Sequence, residues 1–136
     1  MIAFVGFNLK GNDWKPARRV FLETIKERGI REDTVQTFGV FPRTIQELKS
    51  LDPSVVVCCG NAAVNLLLPD KPGDVEYIRG YVFDSPHGLT VLATVDPAEV
   101  SKTWVPWRML FSKDIQKAKE MNKKGWERPL REVHIV

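Results

Sequence analysis

Leu89-Thr-Val-Leu-Ala-Thr-Val-Asp-Pro-Ala-Glu-Val100 is the stretch on which the fold of this chain turns. Five of the seven residues from Leu89 to Val95 are apolar, too many for a strand with one wet face. Residues 89–94 therefore read as a buried strand in the middle of a sheet. Asp96-Pro97 ends that strand. Proline fixes its own φ, lacks a backbone donor and holds the preceding residue out of helical geometry. An acidic side chain is thus carried on a stiff backbone to the carboxyl edge of a strand, where open α/β sheets bind their ligands. A plain strand terminator is the other reading of the same two residues.

The segments on either side follow the same logic. Residues 2–6 form a short apolar strand ending in Gly6, and 7–15 a polar loop rich in turn formers. Asp13 stands as a helix N-cap with Pro16 in the first turn. Val20, Phe21, Thr24 and Ile25 make one stripe of a helix over 16–28, stopped by Gly29. Residues 34–40 are β-branched and aromatic, hence a strand, broken by Phe41-Pro42; a short amphipathic helix covers 44–50. Residues 54–59 are apolar on both faces, which marks a central parallel strand. Gly60-Asn61 turns it into a helix over 62–68 that Pro69 ends. After a loop at 71–74, residues 75–83 are an irregular segment leading into a strand, and 84–88 have the turn chemistry of a hairpin or tight connection. A long helix over 106–121 and a polar tail, 122–136, complete the chain. Strands alternating with helices predict a three-layer α/β/α sandwich with a mainly parallel, four-stranded central sheet.

A length of 136 residues predicts one domain over 1–121, with 122–136 as a tail or linker. Its apolar, strand-like ending reads as a domain boundary from which a longer chain continues. Hydrophobic content of 43% beside 27% charged residues is ordinary for a soluble globular protein. No apolar run reaches the ~20 residues that cross a bilayer, and no basic leader precedes the first strand, so no membrane or secretory role is expected. Cys58 and Cys59 are neighbours on a strand and point to opposite faces, which argues against a mutual disulfide and for buried, inert thiols in a reducing cytoplasm. The net charge of +3 hides an asymmetry. Residues 1–100 carry 11 Lys/Arg against 13 Asp/Glu, and residues 101–136 carry 9 against 4. The basic end is suited to meet a polyanion, although a solvated helix face explains it equally well.

Neither a Gly-x-Gly-x-x-Gly nor a Gly-Lys-Ser/Thr loop follows a strand, so no nucleotide cofactor is expected. No Gly-x-Ser-x-Gly elbow is present, and His87 and His134 read as solvated histidines. What remains are polar residues at the carboxyl ends of three strands: Asn8 and Asp13 after the first, Asn61 after the third, Asp96 after the last. Loops at one sheet edge converge on a crevice. A carboxylate among amides, with Phe7 or Trp14 nearby, suits a pocket that stacks a planar ring and reads its edge. Helix capping is the plainer reading of Asp13 and of Asn61.

This ordered series resembles the uracil-DNA glycosylase superfamily, most closely its compact iron–sulfur branch, over about residues 2–120. Val5-Gly-Phe-Asn-Leu-Lys-Gly-Asn-Asp13 stands where that branch has Val-Gly-Glu-x-Pro-Gly-x-x-Glu-Asp. Gly29-Ile-Arg-Glu and Val35-Gln-Thr-Phe38 stand where a helix end leads to a strand finishing Thr-Asn. Residues 53–68 look like its Pro-x-hydrophobic-strand-Gly-x-x-Ala-x-x-x-Leu segment. Ile78-Arg-Gly80 matches Leu-Arg-Gly, Thr94-Val-Asp-Pro-Ala98 matches Thr-x-His-Pro-Ser, and Ser112-Lys-Asp-Ile-Gln-Lys-Ala118 matches the closing helix. Trp126-Glu-Arg-Pro-Leu-Arg-Glu-Val-His-Ile135 is similar to the stretch that leads into the exonuclease domain of some bacteriophage family A DNA polymerases, which carry such a domain at their N-terminus.

The resemblance implies a base-flipping scaffold, with a pocket formed by Gly6, Phe7, Trp14, Phe38, Asn61 and Pro97. Asp96, Asp13 and Asn8 are then the catalytic candidates. Arg79, Lys102, Arg108, Lys113 and Lys117, with Lys123 and Lys124, are the candidates for phosphate contact with single- or double-stranded DNA. The departures fall on the chemistry. Asp96 replaces the family's His, which stabilises the departing base. Phe38 replaces the Asn that reads uracil, and Phe7-Asn-Leu-Lys10 replaces the water-positioning Glu-x-Pro-Gly. The cluster cysteines are missing, so no cofactor is expected. The expected function is a degenerate glycosylase-like, DNA-binding accessory domain of a phage replication or repair protein, in the host cytoplasm. Two alternatives stay open: an active glycosylase for a modified pyrimidine, and a structural or protein-interaction domain with Phe38 and Trp14 filling the pocket.

Overall fold

Five strands form one sheet in the order β2-β1-β3-β5-β4: β1 (Ile2–Val5), β2 (Val35–Phe38), β3 (Val55–Cys59), β4 (Val82–Asp84) and β5 (Thr90–Thr94). The computed structural model describes residues 1–6, 15–70, 74–100, 105–123 and 126. The pairs β1–β2, β1–β3 and β3–β5 are parallel, whereas β4 runs antiparallel along β5. The expected four-stranded sheet is thus corrected to five strands. Val82–Asp84 is only three residues long and folds back through residues 85–89, with Ser85 N donating to Leu89 O at 2.8 Å. A strand that short carries no periodicity of its own; the antiparallel partner creates it.

The helices are α1 (Lys15–Glu27), α2 (Pro42–Leu51), α3 (Asn61–Leu67), α4 (Val75–Ile78), α5 (Pro97–Val100) and α6 (Val105–Met121). Strand side chains alternate between two cores, as the two-residue period requires. Ile2, Phe4, Val55, Val57, Cys59 and Leu92 pack with α1, α5 and α6. Ala3, Val5, Val56, Cys58, Val91 and Ala93 pack with α2, α3 and α4. Helices therefore cover both sheet faces, and the chain is an α/β domain consistent with three layers. β3 is buried along its whole length, as its unbroken apolar run requires.

Local sequence sets the helix ends. Val20, Phe21 and Ile25 bury one face of α1, where Phe21 meets Phe4 edge-on at 4.7 Å between ring centroids. Gly29, at φ +70°, ends that helix, with Ile30 N donating to Ile25 O at 2.8 Å. Pro42 opens α2, and Asp52 closes it in the left-handed region. α6 is strapped to α1. Arg28 Nε donates to Ser112 Oγ at 2.8 Å, and Lys119 Nζ to Arg28 O at 2.7 Å. Trp126, within the expected tail, packs against the α1/α6 core.

Cys58 and Cys59 are free, fully buried and on opposite faces of the sheet. Burial pushes both thiols up, and for Cys59 the charges of Cys58, Asp96 and Asp114 push the same way. The folded thiols thus keep protons that the unfolded chain releases above about pH 8.5. Stability is insensitive to these groups below that pH and falls above it, by about 1.4 kcal/mol per pH unit for each thiol. Urea titrations between pH 7.5 and 10.5 should show that slope. It should flatten in Cys58→Val relative to the parent chain, and equal slopes in the two would contradict the assignment.

Candidate functional site

The chain leaves β1 toward β2 on one side and β3 toward β5 on the other, so the strand order reverses between β1 and β3. A crevice opens at the carboxyl edge there, as it does in open α/β sheets. Its floor is made by glycines. A Cβ on Gly6 (φ +133°) would lie 2.3 Å from Cys59 O, and one on Gly60 (φ +93°) would lie 3.1 Å from Asp96 Cβ. Backbone therefore approaches backbone where a side chain has no room.

Two adjoining hollows share Gly60, Asn61, Ala62 and Asp96. The smaller, of about 370 Å³, reaches Gly6, Cys59 and the Gly39-Val40-Phe41 segment after β2. The Phe41 ring folds over Gly39, and the Arg43 guanidinium lies 5.0 Å from its centroid. The larger, of about 460 Å³, is walled by Val75, Val95, Val100 and Trp107 and lined by Asp74, Glu76, Asp96 and Glu99.

Asp96 serves both readings of the Asp-Pro corner. It lines both hollows, and its Oδ1 accepts a hydrogen bond from Ala98 N at 2.8 Å. Its carbonyl accepts from Glu99 N and Val100 N, so Asp96 caps α5 with Pro97 in the first turn. Asn61, at the head of α3, accepts from Val75 N at 2.7 Å, and Asp74 accepts from Glu76 N at 3.1 Å. These contacts pin α4 over the crevice.

Beneath β5 lies an ion pair between a buried carboxylate and a partly buried guanidinium. Arg79 donates to Asp114 through Nε at 3.0 Å and Nη2 at 2.5 Å, and Thr94 Oγ1 donates to the same carboxylate at 2.7 Å. The hydrogen bonds to Asp114 push the Arg79 guanidinium further up, against a smaller opposing effect of burial. Gly80 N donates to Ala93 O, and Lys117 Nζ donates to Gly80 O, both at 2.7 Å. The Arg-Gly segment, β5 and α6 are thereby locked together two residues before Asp96.

Of the sequence-predicted residues, Gly6, Asn61 and Asp96 converge on the crevice. Phe38 does not line it; it ends β2 and packs with Val40 and Ile45 against the α2/α3 core. Pro97 is buried beside it without lining it. Phe7, Asn8, Asp13 and Trp14 lie outside the described residues, as do Lys102 and Lys124. Among the phosphate candidates, Arg79 is committed to Asp114. Arg108 bonds Val20 O and Thr24 Oγ1 and pairs with Glu23 and Glu27. Lys113 and Lys123 are exposed, and Lys117 is partly buried.

Sequence reasoning missed Asp74, Glu76, Glu99 and Trp107. The capping pattern Asp74-Val-Glu76 after Pro72-Gly73 carried a helix-start signal for the first two. Among the described residues, neither hollow is lined by Lys, Arg or His. The described residues also hold no group of three or more His, Cys, Asp or Glu placed to hold a metal ion. No helix among them is long and apolar enough to cross a membrane. Compared with protein-family models and with curated protein sequences, the chain matches none.

Proposed function

We propose that this chain is a degenerate uracil-DNA glycosylase-like domain: a DNA-binding accessory module without standard uracil excision. The observation that carries the reading is Asp96, in the position of the family's His, on a crevice lined by three further carboxylates. N-glycosidic cleavage leaves a base that gains negative charge, and catalysis requires donors aimed at it. A carboxylate about 4 Å from that charge opposes it by on the order of 4 kcal/mol at an effective dielectric of about 20. That amounts to roughly a thousandfold in rate. Loss of the donor and gain of the carboxylate act in the same direction.

The same charges keep the phosphate backbone out of the crevice, so DNA is met elsewhere. Lys113 is exposed on α6, whereas Lys117, one turn on along the same face, is tied to Gly80 O at 2.7 Å. Lys123 follows the helix, and the +5 balance of residues 101–136 supports this side as the polyanion surface. The likeness of residues 126–135 to the stretch ahead of a polymerase exonuclease domain supports a place in a phage family A replication polymerase.

Two assays test this. Uracil-containing single- and double-stranded oligonucleotides should release no uracil above background, and rapid release would overturn the loss of excision. Fluorescence anisotropy with the same DNA should show affinity falling by about 0.7–0.9 log unit per decade of salt for each phosphate contact. Lys113→Ala should lower that slope by about one contact. Salt-indifferent binding, or none at low salt, would overturn the DNA module.

A further inference from the structure

We propose that the surface where α4 meets α6 binds single-stranded DNA by stacking a base on Tyr77, with Lys113 on an adjoining phosphate. The inference rests on the DNA-binding reading above and names the form of DNA that this surface selects. Tyr77 is 81% exposed, more than any other large apolar or aromatic side chain among the described residues. Its backbone is pinned: Asp74 caps α4, Val75 N donates to Asn61 at 2.7 Å, and Arg79 N donates to Val75 O at 2.8 Å. A ring held in water on a fixed backbone is a flat, preorganised surface for a planar partner. Tyr77 also has neighbours of the right kind. Arg79, two residues from Tyr77 and two from Tyr81, bonds Asp114 of α6, and Lys117 Nζ bonds Gly80 O. Tyr81 stands close to Arg79, whose guanidinium is pushed up chiefly by its hydrogen bond to Asp114 and in smaller part by Tyr81. Lys113 adjoins Asp114, and Met109 lies one turn before it. Tyr77, Tyr81, Met109 and Lys113, all exposed, are thus gathered around the α4–α6 junction, and none of them lines the crevice.

The chemistry of these side chains selects the occupant. Arg79 and Asp114 neutralise each other. Lys113 makes no ion pair or side-chain hydrogen bond among the described residues, so its ammonium is available to a phosphate. Exposed tyrosines alone would suit a protein partner, but lysine is depleted from protein interfaces. Aromatic rings beside a cation are the arrangement that holds single strands: every base has a π-face, and the backbone follows the positive charge. A duplex keeps its base faces stacked inside, out of reach of a ring on a convex surface.

The test follows the anisotropy of three labelled ligands on the full chain: an oligothymidylate, the same strand paired in a duplex, and an abasic strand of equal length. The oligothymidylate should bind more tightly than either of the others. Tyr77→Ala should weaken it by about 5- to 150-fold, the range for losing one stacked base. That variant should leave the abasic strand and the salt slope unchanged and melt like the parent, since the position is exposed. Tyr77→Phe, which keeps the ring, should restore the parent affinity. Lys113→Ala should instead lower the salt slope and weaken all three ligands. The abasic comparison needs no variant, so the proposal stays testable even if one fails to fold. Salt-dependent binding that ignores Tyr77→Ala, or that takes the abasic strand or the duplex as well as the oligothymidylate, would overturn the stacking platform and leave the DNA-binding reading standing. No binding at low salt would overturn both. Self-association of the parent chain that Tyr77→Ala abolishes would overturn the proposal by assigning the surface to a second copy.

Discussion

Replacing Asp114 by alanine is expected to lower the stability of the domain by about 3 kcal/mol, the low end of the cost of stripping one partner from a buried ion pair, because the Arg79 end keeps contact with water. The carboxylate is only 3% exposed and accepts from Arg79 twice and from Thr94 once. Its removal leaves a guanidinium, 23% exposed, held over the end of β5 without its counter-charge, and a buried hydroxyl without its acceptor. The pair itself is not worth that much. Taking two charges out of water offsets most of their attraction, so the apolar double replacement Arg79→Met, Asp114→Leu should recover most of the loss. Urea denaturation of the parent, both single variants and the double variant gives the coupling directly. A loss below about 1 kcal/mol in Asp114→Ala would show that the lock between β5 and α6 carries little of the fold.

Gly6→Ala is the second large effect, expected at about 2–6 kcal/mol from backbone strain and overpacking together. At φ +133° the new Cβ would lie 2.3 Å from Cys59 O. Neither side is free to yield. Gly6 N donates to Phe38 O at 3.0 Å, and the β3–β5 register holds Cys59 in place opposite Thr94. Gly60→Ala meets the Asp96 side chain, nearest at Cβ, 3.1 Å, so its cost should be nearer the ~1–3 kcal/mol of a strained backbone. It should displace Asp96 while the sheet stays intact. The order of the two losses by thermal or urea unfolding is the check. A Gly6→Ala variant as stable as the parent would mean that β1 and β3 do not meet this closely.

Much of the architecture was written in local pattern. The apolar runs of β1, β3 and β5, the stripe of α1, Gly29 as its stop and Phe41-Pro42 as the break after β2 all express period, capping or backbone restriction, which need only near neighbours. So does the prediction that Cys58 and Cys59 face apart. The fifth strand was less accessible, because Val82–Asp84 is defined by its pairing with β5 rather than by its own residues. The four-residue helices α4 and α5 are similar: α4 is held by its Asp74 cap and by Asn61 from α3, and α5 by its Asp96 cap and by packing against α1. Phe38 shows how a plausible position fails. The end of β2 does reach the crevice, but an aromatic ring has more apolar contact in the α2/α3 core, and Gly39-Val40-Phe41 take the rim instead.

From residues alone it follows that this chain builds an alternating α/β sheet and carries a carboxylate, Asp96, to a strand's carboxyl edge, because hydrophobic period and proline geometry act over a few residues. What surrounds that carboxylate followed only from folding. Asp74, Glu76, Glu99 and Trp107 come from segments that are not contiguous in the chain. Likewise Arg79 and Asp114, 35 residues apart, become partners through the packing of α6 on β5. Electrostatics depends on distance in space and on exclusion of water, and neither is set until the layers close.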